Sequence, residues 1–476
     1  MDARYDLLII GAGPGGYIAA QKAAKMGMSV LVIEKGEIGG TCVNRGCIST
    51  KALIHASTLY REMRDCERFG ITAKDVSFDL QKIFEYKDNS AAVMRADLEE
   101  QFEELGIDFL QGHATIMKHR KVYVTFEDGS YTVCQGKNIL IATGAKANRP
   151  DIPGIDLPGV MTSEELLLSN ESRYRKILIL GGGVIGLELA TVFNALGAEV
   201  TIVEASGRLL PKMDPEFSDA LEEILVKRGI KICKASILES IRQREGRLYC
   251  KYLTKGMYER EYVDAVLVSV GRSANTENLF SPDVPVKMEN GKLIVDEFFM
   301  TSIPGIYAIG DVIEGVQLAH VASAQASYVV ERMNGMKPTF MLDMVPSGLF
   351  VSMSIIPSCV YTDPEIASVG LSEEEARMYG VPVRCGKCVM SSNGQSIIRK
   401  EKVGFIKVVF AADSDVLLGA QMLCPRATDM IGEMATAIAN GLTSTQLTYA
   451  MRAHPTFNEA ISEAVENSRL QKVSWF

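Results

Sequence analysis

Two stretches of this chain repeat one another at a fixed distance. Tyr5-Asp6-Leu7-Leu8-Ile9-Ile10 runs into Gly11-Ala12-Gly13-Pro14-Gly15-Gly16, an alanine-rich stretch to Gly27, and a second apolar run that ends at Glu34. Lys176 to Leu180 likewise runs into Gly181-Gly182-Gly183-Val184-Ile185-Gly186, a stretch to Gly197, and a run that ends at Glu204. Gly11 with Gly181, Gly13 with Gly183, Gly16 with Gly186, and Glu34 with Glu204 all share one and the same offset. A short continuous apolar run bounded by glycine fits a strand buried on both faces of a parallel sheet, so each copy predicts strand, turn, helix, strand.

Each position in the pattern has a physical task. The first glycine makes the turn, the second lets backbone approach a pyrophosphate, and the third lets helix and strand pack closely, with the helix N-terminus facing the phosphates. Each carboxylate, Glu34 after Gly16 and Glu204 after Gly186, can accept hydrogen bonds from a ribose 2′-hydroxyl and would repel a 2′-phosphate. NAD is therefore expected over NADP at the second copy. The predicted architecture is α/β, with two Rossmann-like dinucleotide-binding domains.

The copies differ in length. From first motif glycine to strand-ending glycine, the first copy runs from Gly11 to Gly144 and the second only from Gly181 to Gly271. The first therefore carries an extra segment, where chemistry is expected. It contains Gly39-Gly40-Thr41-Cys42-Val43-Asn44-Arg45-Gly46-Cys47, followed by a helical stretch from Ala52 to about Arg64. Bridged cysteines need Cα atoms within ~7 Å, whereas five helical steps rise ~7.5 Å, so a disulfide here requires a non-helical turn. Gly40 and Gly46 permit one, and a helix N-terminus would favour a thiolate. A reversible redox pair and two packed thiols both remain open on these residues alone. The only C-x-x-C, Cys385 to Cys388, has no partner pair at ligand spacing, and no metal site is expected.

Composition sets outer limits. At 476 residues the chain exceeds one core, and 50 basic against 59 acidic residues disfavour nucleic acid as a partner. No apolar run reaches membrane-span length, and ten dilute cysteines without a secretory signal suggest a cytoplasmic protein.

The two fingerprints, the G-G-T-C-V-N-R-G-C run, Ala142-Thr143-Gly144, Ala308-Ile309-Gly310-Asp311 and His454-Pro455-Thr456-Phe457-Asn458-Glu459 together resemble the class I pyridine nucleotide-disulfide oxidoreductases. Within them the chain is most similar to the dihydrolipoamide dehydrogenase branch. The resemblance implies a discontinuous FAD domain at residues 1–150 and 279–344, an NAD domain at 151–278, and a C-terminal α+β dimerisation domain at 345–476. It implies that Gly11, Gly13, Gly15, Gly16, Glu34, Thr41, Thr143, Gly144, Gly310, Asp311 and Ala319 surround FAD. It likewise implies that Gly181, Gly183, Gly186, Glu204 and Gly271 surround NAD. Lys51 would sit at the flavin, paired with Glu188.

Cys42 would be the interchange thiol and Cys47 the flavin-facing one. His454 and Glu459 would form an acid-base dyad serving the other subunit's site, which demands a homodimer. The implied reaction is oxidation of a protein-bound dihydrolipoyl dithiol with hydride passed to NAD. Partners would be a lipoylated carrier or the separate subunits of a 2-oxoacid dehydrogenase or glycine-cleavage system.

Ser49-Thr50, Asp363, Val321-Ala322-Ser323 and Asn458 depart from the commonest pattern of that branch and leave the disulfide substrate open. A reductase of another small disulfide or electron acceptor, and a redox sensor or assembly subunit with little turnover, are the rival readings. Branches with a second redox pair at the C-terminus are disfavoured because no cysteine follows Cys424 before Lys472-Val473-Ser474-Trp475-Phe476.

Overall fold

The computed structural model describes residues 4–169, 174–336 and 355–470. It falls into two compact units, one of Met1–Asp151, Val160–Arg173 and Leu267–Phe340, the other of Ile152–Gly159, Tyr174–Val266 and Met341–Phe476. The expected boundary at residues 344 and 345, and the tail from Lys472, lie outside the described residues.

The first unit is built on β1 (Arg4–Ile10), β2 (Val30–Glu34), β3 (Asp108–Gln111), β4 (His113–Met117), β5 (Lys121–Thr125) and β6 (Tyr131–Ile141). Their order is β3-β2-β1-β6-β5-β4, and Ile306–Ala308 adds to β6 in parallel, Ile306 opposite Ile139. A strand from beyond residue 279 thus completes the sheet begun by residue 4. Leu7, Leu8 and Ile9 are all fully buried, as a central parallel strand covered on both faces requires.

Helix α1 (Pro14–Lys25) starts with proline, whose missing N–H is not needed there. Its Ala19, Ala20 and Ala23 share a core with Ala326, Val329 and Val330 of helix Ala319–Met333. The crossover from Glu34 to Asp108 is long and carries α2 (Gly40–Arg45), α3 (Cys47–Arg64) and α4 (Leu80–Glu104). Asp79 caps α4 by accepting from the N–H groups of Gln81 and Lys82.

In the second unit, Lys176–Leu180, Glu199–Val203 and Lys231–Cys233 are parallel neighbours, with Thr201 opposite both Leu178 and Lys231. The crossover from Glu204 to Lys231 is short and carries only the helix Pro215–Lys227. A separate antiparallel sheet runs Ser358–Val360, Glu365–Gly370, Leu417–Cys424, Phe405–Ala411, Val383–Val389. Helices Ala427–Ala439 and Glu459–Leu470 pack on it through Met430, Ile431, Met434, Ile461, Ala464 and Val465.

Cys385 and Cys388, an odd number of steps apart on strand Val383–Val389, point to opposite faces and join different cores. They cannot act as one chelate. Among the described residues, no group of three His, Cys, Asp or Glu is placed to hold a metal ion, and no helix is long and apolar enough to cross a membrane.

Candidate active site

The two glycine turns are built alike. Gly11 and Gly181 have φ of +103° and +107°, values that only glycine adopts easily. A Cβ on Gly11 would stand 2.3 Å from the Ala142 carbonyl oxygen, and one on Gly16 would stand 1.8 Å from that of Gly11. On Gly13 and Gly183 an added Cβ would meet nothing within 4 Å, so the backbone there faces open space where a phosphate can approach. Gly15 lies against Ile309 and Ala322, and Gly186 is buried in helix Val184–Ala195.

Glu34 accepts from the N–H of Ala12 at 2.7 Å and of Gly36 at 2.9 Å. Glu204 does the same with Gly182 and Ser206, both at 2.6 Å. A cavity of ≈170 Å³ opens beside the first turn, lined by Gly11, Glu34, Lys35, Thr143, Lys146 and Glu277 among others. Glycine turn, acid and cavity together fit the adenosine and pyrophosphate of a dinucleotide.

Thr143 is fixed by Asn275: its hydroxyl donates to the Asn275 carbonyl oxygen at 2.8 Å, and Asn275 Nδ2 returns a bond to the Thr143 carbonyl oxygen at 3.0 Å. The Gly144 carbonyl accepts from Asn275 N–H, and the Gly271 carbonyl from Asn148 N–H. Burial pushes the Asp311 carboxyl up, against the pull of Arg272 and Lys292. Gly310 N–H donates to Gln325 of the helix that Ala319 begins.

Between the cysteines the helix breaks. α2 ends at Arg45, Gly46 is non-helical at φ −147°, ψ −115°, and α3 starts at Cys47 itself rather than at Ala52. Any side chain on Gly46 would press on the Thr41 carbonyl oxygen, 2.8 Å from the Cβ position. The break brings the two cysteine side chains into hydrogen-bond contact. Cys47 is the more exposed. The Cys42 thiol is pushed well up, first by its hydrogen bond to Cys47, then by burial and by the charge of Cys47, against the pull of Lys51. Tyr17 sits in the same field: burial, then Cys42 and Cys47, raise its hydroxyl.

Asn44, between the cysteines, donates to the carbonyls of Ile38 and Gly40, both at 2.9 Å, and accepts from Arg95 Nη1 at 2.7 Å. Sequence reasoning missed Tyr17, Arg95 and Asn275, because each acts through a partner that no motif links to it, and it gave Asn44 no role although Asn44 stands within the cysteine run.

Thr41 and Lys51 are half-buried on α2 and α3. Glu188 is 3% exposed and accepts from Tyr361 N–H at 3.0 Å. Lys51 belongs to the first unit and Glu188 to the second.

His454 and Glu459 meet in the second unit, Nδ1 to Oε1 at 2.8 Å, with the other carboxylate oxygen accepting from Thr456 N–H at 2.8 Å. The Thr456 N–H first, and then His454, hold the Glu459 carboxyl below the usual carboxylate range. Glu459 opens helix Glu459–Leu470, where a negative charge is favoured. The His454 side chain is 79% exposed, so with Nδ1 engaged its Nε2 is the nitrogen left to face a reactant. Beside the dyad lies a cavity of ≈370 Å³ lined by Arg399, Arg426, Pro455, Thr456, Phe457 and Asn458 among others.

Paired dinucleotide cradles, adjacent cysteines and a His-Glu pair define a flavin-linked dithiol-disulfide oxidoreductase. The chain belongs to the pyridine nucleotide-disulphide oxidoreductases: the family model matches residues 5–326, and the family's dimerisation domain matches 356–465. It is 35% identical over 467 residues to dihydrolipoyl dehydrogenase of Geobacillus stearothermophilus, covering 97% of this chain and 95% of that one. It is also 35% identical over 478 residues to the enzyme of that name from Bacillus subtilis, covering 98% of each.

Among solved structures, LpdA from Mycobacterium tuberculosis matches with a TM-score of 0.88 and 25% identity, over 99% of this chain and 100% of that one. The HOCl-induced flavoprotein disulfide reductase RclA from Escherichia coli matches with a TM-score of 0.84 and 28% identity, over 98% and 100%. FAD and NAD are the cofactors of this family. The dimerisation domain supports a homodimer.

Proposed function

We propose that this chain is a dihydrolipoyl dehydrogenase. The reading rests on the cysteine pair at the helix break, joined to a likeness that covers 97% of the chain to an enzyme of that name. FAD in the first cradle supplies a two-electron acceptor, and NAD at the second supplies the final hydride acceptor.

The chain's own residues do the rest. Oxidised Cys42-Cys47 is attacked at Cys42 by one sulfur of a dihydrolipoyl group, and the Cys42–Cys47 bond breaks. His454 Nε2 takes the proton of the attacking thiol, because thiolates are the effective nucleophiles. The second substrate sulfur displaces Cys42, which leaves lipoyl disulfide and two reduced cysteines. Glu459 orients the imidazole and stabilises its cation. In this reading Lys51 pairs with Glu188 beside the flavin, His454 serves the partner subunit's cysteines, and the flavin, NAD and interface domains divide as the family pattern implies. A lipoylated carrier or 2-oxoacid dehydrogenase component brings the substrate, in the cytoplasm.

A second reading has its own support in the likeness to a flavoprotein disulfide reductase, and in Ser49-Thr50 beside the cysteines. There the same cysteines reduce a small disulfide at the expense of NADH. Anaerobic titration of the holoprotein separates the two. Dihydrolipoamide should reduce it within the turnover time and NAD should reoxidise it; reduction by NADH alone, with none by dihydrolipoamide, would favour the reductase. Slow reduction by both would leave a sensor.

A further inference from the structure

We propose that Arg45 is a positioning residue that holds the Cys42–Cys47 turn in place through Glu164, and thereby sets the reduction potential of the pair. The proposal rests on the redox reading above. Arg45 is the last residue of α2, directly before the non-helical Gly46. Its Nε is buried, has no hydrogen-bond partner, and lies 3.6 Å from Glu164 Oε2. A Cβ placed on Gly36, whose N–H holds Glu34, would come within 4.0 Å of Arg45 Nη2. The guanidinium therefore lies between the cradle of the first dinucleotide and Glu164.

Glu164 is itself fixed. Its other oxygen accepts from Arg272 Nη2 at 2.7 Å, and the two side chains are 19% and 15% exposed. Arg272 also donates to the Ala145 carbonyl oxygen and is one of the charges that oppose the upward push on Asp311. The short helix Ser163–Leu168 that carries Glu164 is pinned in turn. Thr162 and Glu165 form a capping box, Arg149 pairs with Glu165 at 2.6 Å, and the fully buried Lys87 donates to the Leu167 carbonyl oxygen.

An ordinary surface ion pair would be solvated and nearly neutral in effect. Here the Arg45 side chain is 33% and Glu164 19% exposed, and solvent does not reach Arg45 Nε. The place of the guanidinium is set by Glu164 and by the turn it belongs to. Because both cysteines flank Arg45, holding it keeps their sulfurs side by side, and a high effective concentration of one thiol at the other is what favours the disulfide. A released turn lowers that concentration and shifts the pair toward the dithiol.

The test uses the flavin-loaded enzyme, with flavin content measured for each protein, and reads the cysteine couple against NADH/NAD mixtures. Arg45→Ala and Glu164→Gln should each shift the couple about tenfold toward the dithiol, a rise of about 30 mV for a two-electron couple. The double variant should shift it no further, because both act through one contact. Arg45→Lys, which keeps the charge and the fold, should recover most of the wild-type value. Unmoved potentials at full flavin content, or shifts that simply add, would overturn the positioning role alone. Wild-type cysteines that take up no electrons would instead sink the redox reading, and this proposal with it.

Discussion

The two dinucleotide-binding copies agree almost atom for atom at the turn and diverge beyond it. Gly13 and Gly183 both stand at the head of their helices with ψ of −174°, and φ of −73° and −83°. Each acid folds back on the N–H just after its first glycine, Ala12 or Gly182, and on an N–H just past itself, Gly36 or Ser206. The divergence lies in the crossover between the second and third strands, which runs from Glu34 to Asp108 in one copy and only from Glu204 to Lys231 in the other. The fingerprint builds a place for a dinucleotide and leaves the reaction open. The helices inserted in one crossover bring the cysteines, and with them the reaction.

That division can be broken or sharpened by experiment. Cys47→Ser, confined to the inserted crossover, should lower dihydrolipoamide oxidation about 10⁴-fold or more while flavin and NAD still bind. Steady-state turnover beside flavin absorbance checks it, and loss of both together would mean that the crossover also builds the cradle. His454→Gln, remote from both cradles in sequence, should cost about 10²- to 10⁴-fold in kcat, the range of a lost general base, with the KM for NAD unchanged.

Gly13→Val and Gly183→Val probe the cradles separately. Each added side chain meets no protein atom at its Cβ, so the chain should fold and only phosphate approach should suffer. The first should purify with little flavin; the second should stay yellow but bind NAD about 10²-fold more weakly, as expected for lost hydrogen bonds to an anion. Equal flavin loss in both would contradict the separate assignments.

The smallest effect concerns Glu459. Its folded pKa lies below its unfolded one, so its tie to Thr456 and His454 contributes fully above the ordinary carboxylate range and is lost only as pH falls through the lower folded value. Glu459→Gln should therefore lower kcat across neutral pH, and the difference from wild type should vanish only at acid pH. A pH-rate profile that kept a constant ratio down to acid pH would deny the pairing its role.

Much of this is legible in the chain. The constant offset between the two fingerprints gives both sheets and both acids, because strand burial and phosphate approach each demand a residue type at a fixed place. The residue pattern starts helix α3 at Ala52, whereas the helix begins at Cys47. Cys47, Ile48, Ser49 and Thr50 are poor helix formers, yet Ser49 and Thr50 are buried and tertiary packing decides. Glu164 and Arg272 stand in no motif, and Asn44 and Arg45 stand inside the cysteine run with nothing there to say what they meet. Arg45 meets Glu164, and Glu164 meets Arg272, only once the chain has folded, and an arginine or glutamate looks the same in sequence whether solvated or enclosed.

The long crossover also says how such an enzyme can be made from a simpler binding unit. Both crossovers return to a strand in parallel register with the one before, Leu31 opposite Asp108 and Thr201 opposite Lys231. By loop-closure entropy alone, lengthening such a connection nearly threefold costs only about 1 kcal/mol, since the penalty grows with the logarithm of length. Length itself is therefore a small penalty, and what ties the insert to the strands is the core that Val43, Ala91, Leu98 and Phe102 share with Leu7, Ile9, Val30 and Val32.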